Sequence, residues 1–455
     1  MSQRVTHRRV YPRGIRASAC VAAMMMGCGW STGALGQAAQ ADKPEPGSAG
    51  SGLRLEGYLS QLGAYTYAKP RHWSNATTRL QLGTRGEFGP GIKWRIAGRV
   101  DADPVYMGSD FYRNEVKRDQ RINAFWRETY IDFTAKGWDF RLGAQNIVWG
   151  EAVGLFFADV VSRRDLRQFL LPPFDVIRQP QWAARAEYNP GNWNLDLVWI
   201  PVPGYDDIGK PGADFYPVAL PSPTSDANSA VIQNIQRPGR SLNNSNFGAR
   251  VGALVAGWDA SAFFYRSFAG TPTFYRGAGS GSLPFTLTPR YDRITQTGLT
   301  VTQDFNKFVL RAEGVYTRGQ GHSTLDIATP NGVVERSTLD YLVSIEFSLP
   351  RDTRLNIQAF QRVIQGGETD FALKTAGFGG SIFVSTKLTP TIEPQILWVQ
   401  GFSGTGNMIR PRINWTMAKN TVLGFGVDIF TGPTNSLFGR YGNRDRVYAE
   451  LRYTF

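Results

Sequence analysis

The sequence predicts an all-β fold, a transmembrane antiparallel β-barrel of about 18 strands with long extracellular loops; about 16 strands is the alternative. Three observations lead to this prediction. Apolar and polar residues alternate with a period of two along most of the chain. Tight turns and long connections follow each other in regular succession. The last segment carries an apolar stripe, Val447, Ala449, Leu451 and Tyr453, that finishes on the terminal Phe455.

Residues 1–36 are predicted to be a signal peptide. A basic start that contains Arg4 and Arg16 precedes the apolar stretch Ala17–Leu35, and small residues follow, as at a cleavage site. An N-terminal membrane anchor is the alternative, but glycines interrupt the stretch. Residues 37–52 are rich in Pro, Gly and Ser, and are predicted to be a disordered periplasmic segment. Both cysteines, Cys20 and Cys28, fall in the leader, so the mature chain is predicted to lack thiols and cysteine metal sites.

Composition favours a membrane barrel over a soluble β-sandwich or propeller. After the leader, no apolar run reaches the roughly 18 residues that a spanning helix needs, yet aromatic residues make up 13% of the chain and glycines number 50. The formal charge is +13, and +8 once the five leader arginines are removed. This excess is spread along the chain without a Lys/Arg block, so nucleic acid is not an expected partner.

The barrel is predicted to occupy residues 53–455. Its strands are expected at Leu53–Tyr65, Ala76–Phe88, Ile92–Asp103, Arg121–Ala135, Trp138–Trp149, Gln181–Asn189, Trp193–Pro201, Phe247–Ala256, Trp258–Phe268, Tyr291–Phe305, Phe308–Arg318, Ser337–Leu349, Arg354–Gln365, Ala372–Leu388, Ile392–Phe402, Asn407–Ala418, Thr421–Gly432 and Asp445–Phe455. From a periplasmic N-terminus, the even connections are tight turns and the odd ones are mostly long. Short periplasmic turns and long outer loops are typical of outer-membrane barrels, whereas a sandwich or propeller has no reason to show them.

Alternation divides the strand residues between two faces. Outward positions are expected to include Leu80, Leu82, Trp94, Ile96, Phe140, Leu142, Trp182, Trp199, Phe247, Ile413 and Trp415. The predicted lumen-lining residues are Arg79, Arg85, Arg95, Arg99, Arg141, Gln145, Arg185, Arg250, Arg311, Arg410 and Arg412, with carboxylates such as Asp101 and Glu313 among them. Two interpretations stay open: these arginines brace the wall, or their positive potential favours anionic solutes.

The third outer loop, residues 150–180, breaks the strand pattern. A Trp149-Gly150 corner leads into an apolar stretch and then a basic cluster in which Ser162 is a candidate helix N-cap. We expect the loop to fold into the lumen and narrow it, with packing over the mouth as the alternative. Its residues expected to control passage are Glu151, Arg163, Arg164 and Arg167.

The stretch from Gly143 to Glu151, with Phe156-Phe157-Ala158-Asp159 and Asp165-Leu166 after it, resembles the G-R-Q-x-x-x-W-G-E signature of a poorly characterised family of proteobacterial outer-membrane barrels. Ala144 replaces the usual arginine. Members are often encoded near RND exporters, and the arginine-lined barrel is more distantly similar to alginate-export porins. The terminal strand also resembles that of Gram-negative outer-membrane proteins, which implies that Phe455 is part of the assembly signal.

Catalytic patterns are weak. The mature chain has two histidines, His72 and His322, both expected in outer loops, and no cluster has the spacing of a metal site. We therefore predict a non-enzymatic, porin-like outer-membrane channel without metal or cofactor, for small organic solutes with anionic ones among the candidates. Two alternatives are transport or export of an apolar, lipid-like molecule, and a structural or adhesive barrel. Expected partners are outer-membrane lipids, the barrel-assembly machinery and the solute; a homotrimer and a monomer both remain open.

Overall fold

The computed structural model describes residues 54–150, 152, 157–217, 231–278, 285–367, 370–375 and 377–455. The predicted signal peptide, the segment 37–52 and Glu151 lie outside these residues. Within them, no helix is long and apolar enough to cross a membrane.

The described chain forms a closed antiparallel barrel of 18 strands. In chain order the wall strands are β1 Arg54–Thr66, β2 Thr78–Glu87, β3 Ile92–Ala102, β4 in two pieces (Ile122–Trp126 and Thr129–Ala135), β5 Trp138–Gln145, β6 Gln181–Tyr188, β7 Trp193–Ile200, β8 Asn246–Val255, β9 Trp258–Phe268, β10 Arg293–Asp304, β11 Phe308–Ser323, β12 Val333–Leu349, β13 Thr353–Ile364, β14 Gly377–Ser385, β15 Ile392–Gly401, β16 Gly406–Ala418, β17 Thr421–Thr431 and β18 Arg446–Thr454. The alternative of 16 strands is therefore excluded.

Pairing between the first and last strands closes the ring. The register of β1 with β18 runs from Tyr58 opposite Thr454 to Thr66 opposite Arg446. Beyond it, the N–H of Phe455 donates to the carbonyl of Gly57 at 3.0 Å, and the Gly57 N–H donates back at 2.9 Å. The terminal residue is thus hydrogen-bonded to the first strand, which removes the open sheet edge that a membrane cannot tolerate.

Tight turns on one rim follow from local sequence. Lys136 and Gly137 join β4 to β5 with φ values of 52° and 80°. Ala256 and Gly257 join β8 to β9 with φ values of 51° and 84°. Two successive residues with positive φ give the turn whose twist matches that of paired strands, and glycine at the second position adopts it without strain.

Longer connections on the other rim carry the remaining elements. These are the strands His72–Asn75, Arg163–Arg164, Arg178–Gln179, Val231–Ile232, Thr273–Ala278 and Phe285–Arg290, the α-helices Val105–Gly108, Asn114–Gln120 and Phe174–Ile177, and the 3-10 helices Leu242–Asn244, Pro330–Gly332 and Gly439–Tyr441. The helix expected at Ser162 is wrong: Arg163–Arg164 is extended and pairs with Arg178–Gln179. Ser162 Oγ donates instead to the Ile147 carbonyl and to Asp159 Oδ1, at 3.1 and 2.5 Å.

The two faces of the wall agree with the alternation. The outward positions named above carry exposed or half-buried apolar side chains, which form the membrane-facing belt. Trp182 and Trp199 lie next to strand ends, and Trp193 and Trp258 begin β7 and β9, as expected for interfacial girdles. The inward positions are largely buried, which places the core of the protein inside the barrel.

Candidate functional site

The chain leaves the wall and enters the barrel at Trp149 and Gly150. Trp149 is 1% exposed, its Nε1 donates to Asp196 Oδ2 of β7 at 2.9 Å, and its ring packs on Phe263 of β9. A Cβ on Gly150 would lie 2.9 Å from the Asp159 nitrogen and 3.2 Å from a carboxylate oxygen of Glu313. Only glycine fits this close approach, so the corner directs the loop inward.

The first half of the loop is bound to β11, six strands away around the wall. Glu313, near the middle of β11, accepts the backbone N–H groups of Ala152 at 2.7 Å, Phe157 at 2.8 Å and Ala158 at 2.9 Å. Because these residues come from a loop that starts at β5, the described part of the loop must cross the lumen to reach Glu313.

The second half of the loop is bound to other parts of the wall. Arg410 of β16 donates to the Leu171 carbonyl at 2.8 Å, and Arg99 of β3 donates to the Val176 carbonyl at 2.9 Å. Arg452, near the periplasmic end of β18, donates to Asp175 at 3.1 Å. These anchors on widely separated strands place the loop inside the barrel and not merely over its mouth.

An apolar cluster fills the space between the loop and the far wall. Its loop side includes Phe157, Leu166, Phe169 and Ile177, all buried. Its wall side consists of inward-facing apolar residues, namely Val315, Leu342, Phe360, Phe383, Leu397, Val399, Met408 and Phe430. Phe169 has a φ of 54° and lies 4.9 Å from the Tyr441 ring of the last outer loop. A non-glycine residue with positive φ is uncommon, so surrounding packing fixes this aromatic contact.

Sequence reasoning missed these inward apolar residues. The signal was present where β11 to β17 lose strict alternation, as in the continuous apolar run Ile396-Leu397-Trp398-Val399. Both faces of such a strand are apolar because one contacts lipid and the other contacts the loop.

The predicted lumen-lining arginines all occupy inward positions, and most face a carboxylate. The pairs are Arg79 with Asp101 (2.9 Å), Arg95 with Glu56 (2.6 Å), Arg141 with Asp132 (2.7 Å), Arg185 with Asp196 (2.8 Å), Arg311 with Glu346 (2.9 Å), Arg410 with Asp428 (2.7 Å) and Arg412 with Glu450 (3.3 Å). Arg99 also lies 3.3 Å from Asp101, Arg85 lies 3.9 Å from Glu56, and Arg250 donates to Ser261 Oγ at 3.0 Å. The paired arginines brace the wall and compensate its charge. Gln145 is buried, and its Nε2 donates to the Ala183 carbonyl at 3.0 Å.

The loop arginines hold the loop in shape. Arg163 Nε donates to the Tyr205 carbonyl at 2.5 Å, and Arg164 donates to the Asp159 carbonyl at 2.7 Å. Arg167 pairs with Asp165 at 2.6 Å. Burial alone would raise the pKa of Asp165, but the Arg167 guanidinium overcomes this and lowers it to about 2.

Polar cavities lie beside the loop, and two of them are lined by its described residues. The first lies against β2 and β3, where Arg79 and Asp101 face Asp165 and Arg167. The second lies against β6, β8 and β10, and its lining includes Arg163, Arg164, Gln181, Asp206, Asn246 and Gln296. All three predicted loop arginines therefore line a cavity, and the wall supplies polar partners opposite them.

Outer loops cover part of the mouth above these cavities. A second buried cluster joins Tyr106 and Val116 of the second outer loop with Ile208 and Phe274 of two other outer loops. Asp214 binds several loops together: it accepts a hydrogen bond from Tyr112 at 2.8 Å and lies 3.0 Å from His72 Nε2 and 3.2 Å from Arg444 Nε. Burial raises the pKa of the Tyr112 phenol, with Tyr106 and Asp214 adding to the effect. Two other aspartates of the same outer loop also have protein partners: Asp206 accepts the Arg164 N–H at 2.8 Å, and Asp207 lies 3.6 Å from Arg167.

Comparison with known proteins shows the fold. No family model matches the chain, and no curated protein matches its sequence. Among solved structures, OccAB1 of Acinetobacter baumannii is similar with a TM-score of 0.53 at 9% identity, over 89% of this chain and 96% of that one. OccK2 (OpdF) of Pseudomonas aeruginosa, solved with glucuronate, has a TM-score of 0.49 at 9% identity, over 89% and 98%. An anion-selective porin from Comamonas acidovorans has a TM-score of 0.41 at 11% identity, over 89% and 99%.

The protein is a porin-like β-barrel of the Gram-negative outer membrane. Its apolar belt and the closure of the ring between β1 and β18 agree with this location. At such low identity the likeness establishes the architecture of this barrel and nothing about its solute.

Proposed function

We propose that this porin-like barrel is a channel for small organic solutes, that the loop 150–180 narrows it, and that anionic solutes pass preferentially. The observation that carries the proposal is the set of three N–H groups that Glu313 accepts from the far side of the lumen. A loop held in this way divides the interior and leaves solute only the polar space beside it.

Anion preference is proposed from the arginines that bind neutral groups. Arg163 donates to a carbonyl and lines the second cavity. Arg127 is buried and donates to the carbonyls of Asp175 and Arg178, both at 2.6 Å. A guanidinium bound to a neutral carbonyl keeps its net charge, and such charges in a pore lower the barrier for anions. The paired wall arginines contribute less because a carboxylate stands beside each.

Planar-bilayer recordings of the purified protein test the proposal. Reversal potentials in a salt gradient should show a preference for anions of about twofold or more. Arg163→Gln should reduce that preference, whereas Lys419→Gln, which removes a charge from a periplasmic turn, should leave it as in the wild type. Cation preference in the wild type would contradict the anionic part. Absence of current both in the wild type and after deletion of residues 152–171 would contradict the channel itself.

A further inference from the structure

Three arginines lie together on the membrane-facing side of the wall. Arg266 of β9, Arg293 of β10 and Arg318 of β11 occupy the alternate positions that point away from the lumen. In β9, for example, Phe264 on this face is exposed, whereas its neighbours Phe263 and Tyr265 are buried inside the barrel. In the wall strands that the structure describes, Glu335 at the outer end of β12 is the other charged residue at an outward position. Outward charge is therefore concentrated on adjacent strands.

These arginines lie at the outer boundary of the apolar belt. The strand register forms one row of outward residues across β7 to β11, which reads Trp199, Phe247, Arg266, Thr295 and Arg318. Trp199 and Phe247 are exposed aromatics of the kind that mark a membrane interface.

The position of Arg266 along β9 also places it at the outer boundary of the apolar belt. Arg266 comes eight residues after Trp258, which begins the strand at the periplasmic rim. Eight residues span about 26 Å along a strand. At the usual barrel tilt this corresponds to about 20 Å of height, close to the roughly 25 Å of the apolar band.

The guanidinium groups are available to a ligand from the membrane side. Arg266 and Arg318 are exposed, and neither forms a hydrogen bond or ion pair with the residues described here. Arg293 is oriented by its neighbours: it donates to the carbonyls of Ser245 at 3.0 Å and Asn243 at 2.7 Å and stacks over Phe268. Since adjacent strands are about 4.8 Å apart, the backbones of Arg266 and Arg318 are about 10 Å apart, with Thr295 between them.

We propose that Arg266, Arg293, Thr295 and Arg318 form a binding site for the phosphate groups of a phosphorylated glycolipid of the outer leaflet. The cost of a lipid-facing cation falls steeply from the bilayer midplane to the interface, so arginines at this level can remain charged and reach the lipid headgroups. Phosphate is the anion of a lipid headgroup, and the planar guanidinium binds it through two parallel N–H donors. The guanidinium groups of Arg266 and Arg318, on either side of the Thr295 hydroxyl, can each bind one phosphate of the same lipid molecule.

Native mass spectrometry of the protein in nanodiscs tests this site. The discs contain phosphatidylcholine and a small fraction of diphosphorylated lipid A, and bound lipid A is counted per barrel. The double variant Arg266→Gln with Arg318→Gln should bind it about tenfold more weakly than the wild type. The matched control removes two lysines from periplasmic turns, Lys307→Gln with Lys419→Gln, and should bind as the wild type does.

Two further binding measurements show which group of the lipid the site recognises. Dephosphorylated lipid A should bind the wild type and the double variant alike. Inorganic phosphate at millimolar concentration should not displace lipid A; displacement would mean that the site takes free phosphate and would overturn the lipid assignment. Equal binding of diphosphorylated lipid A by the wild type and by a double variant with the heat-modifiable gel mobility of a folded barrel would overturn the site altogether.

Discussion

The carboxylate of Glu313 accepts the backbone N–H of Ala152 at 2.7 Å. Ala152 belongs to the inward loop, whereas Glu313 belongs to strand β11 of the wall. The same carboxylate also accepts the N–H groups of Phe157 and Ala158. Glu313 is 3% exposed. A buried carboxylate that receives several amide N–H groups is well compensated, because each bond is charge-assisted. This one side chain therefore anchors the start of the loop to the wall.

Glu313→Gln is expected to loosen the loop and raise single-channel conductance. An amide offers one acceptor oxygen, and its NH₂ group would face backbone donors, so hydrogen bonds to the loop are lost. Each bond to a charged group contributes about 1.5–3 kcal/mol, enough to shift the loop toward detached positions. Bilayer recordings of conductance and of its fluctuation measure this change.

The matched control is Glu346→Gln. Glu346 also faces inward, on the neighbouring strand β12, but pairs with Arg311 at 2.9 Å, and its hydrogen bonds within the described part of the chain do not reach the loop. Its conductance should stay near that of the wild type. A similar rise in both variants would mean that lost negative charge, and not loop release, changes the current.

Arg362→Met is expected to destabilise the barrel strongly. Arg362 and Asp340 form a buried pair across β12 and β13, with 2.5 Å between Arg362 Nε and Asp340 Oδ1. Removal of one partner leaves a buried charge without compensation, which costs about 3–5 kcal/mol. Urea unfolding in lipid vesicles, followed by tryptophan fluorescence, gives the free energy of unfolding.

Arg85→Met tests whether burial causes this loss. Arg85 is half exposed and lies 3.9 Å from Glu56, and an exposed pair contributes at most about 1 kcal/mol. Equal losses in the two variants would show that removal of any lumen arginine has the same effect, and that burial of the pair is irrelevant.

The wall could be predicted from sequence because a strand between lipid and water must alternate. Leu80, Trp199 and Ile413 face outward, and Arg79, Arg311 and Arg410 face inward, as the period of two requires. The length of each connection alone was enough to assign it to the periplasmic or the outer rim. Membership of the family suggested by the motif around Trp149 stays a prediction.

The interior could be predicted only in part, because its contacts join residues distant in sequence. The inward course of the loop depends on Glu313 and Arg410, which lie more than a hundred residues away from it. In sequence, neither differs from an ordinary lumen-lining residue. Ser162 had the spacing of a helix N-cap, but pairing of Arg163–Arg164 with Arg178–Gln179 prevailed over that local preference. Glu151 lies outside the described residues.

Asp214→Asn is expected to open the outer loops. The Asp214 carboxylate is contacted by Tyr112, His72 and Arg444, each from a different loop. Loss of its charge weakens all three contacts, and hydrogen bonds to charged groups contribute about 1.5–3 kcal/mol each. Ala213→Cys, buried at 7% exposure, provides the readout: its labelling by a bulky maleimide should be about tenfold faster in the Asp214→Asn background.

Two controls accompany the labelling. The parent chain without the cysteine at position 213 gives the background rate. Asp110→Asn neutralises an exposed acid of the second outer loop and should leave the Ala213→Cys rate unchanged. Labelling at the same rate with and without Asp214 would refute the role of this carboxylate in loop closure.

The packing of the helix Asn114–Gln120 is expected to weaken as pH rises from about 4 to about 6. Burial raises the pKa of Asp119 from 3.8 to about 6, and the negative charge of Asp207 adds to the effect. A carboxyl whose pKa is raised in the folded state stabilises that state while protonated, so its contribution is complete near pH 4 and is lost as pH rises through about 6. Hydrogen exchange of this helix, corrected for intrinsic rates, should therefore accelerate across that window.

Asp119→Asn should remove the acceleration. Glu115→Gln changes an exposed acid of the same helix and should retain it. Persistence of the pH dependence in Asp119→Asn would assign it to another group.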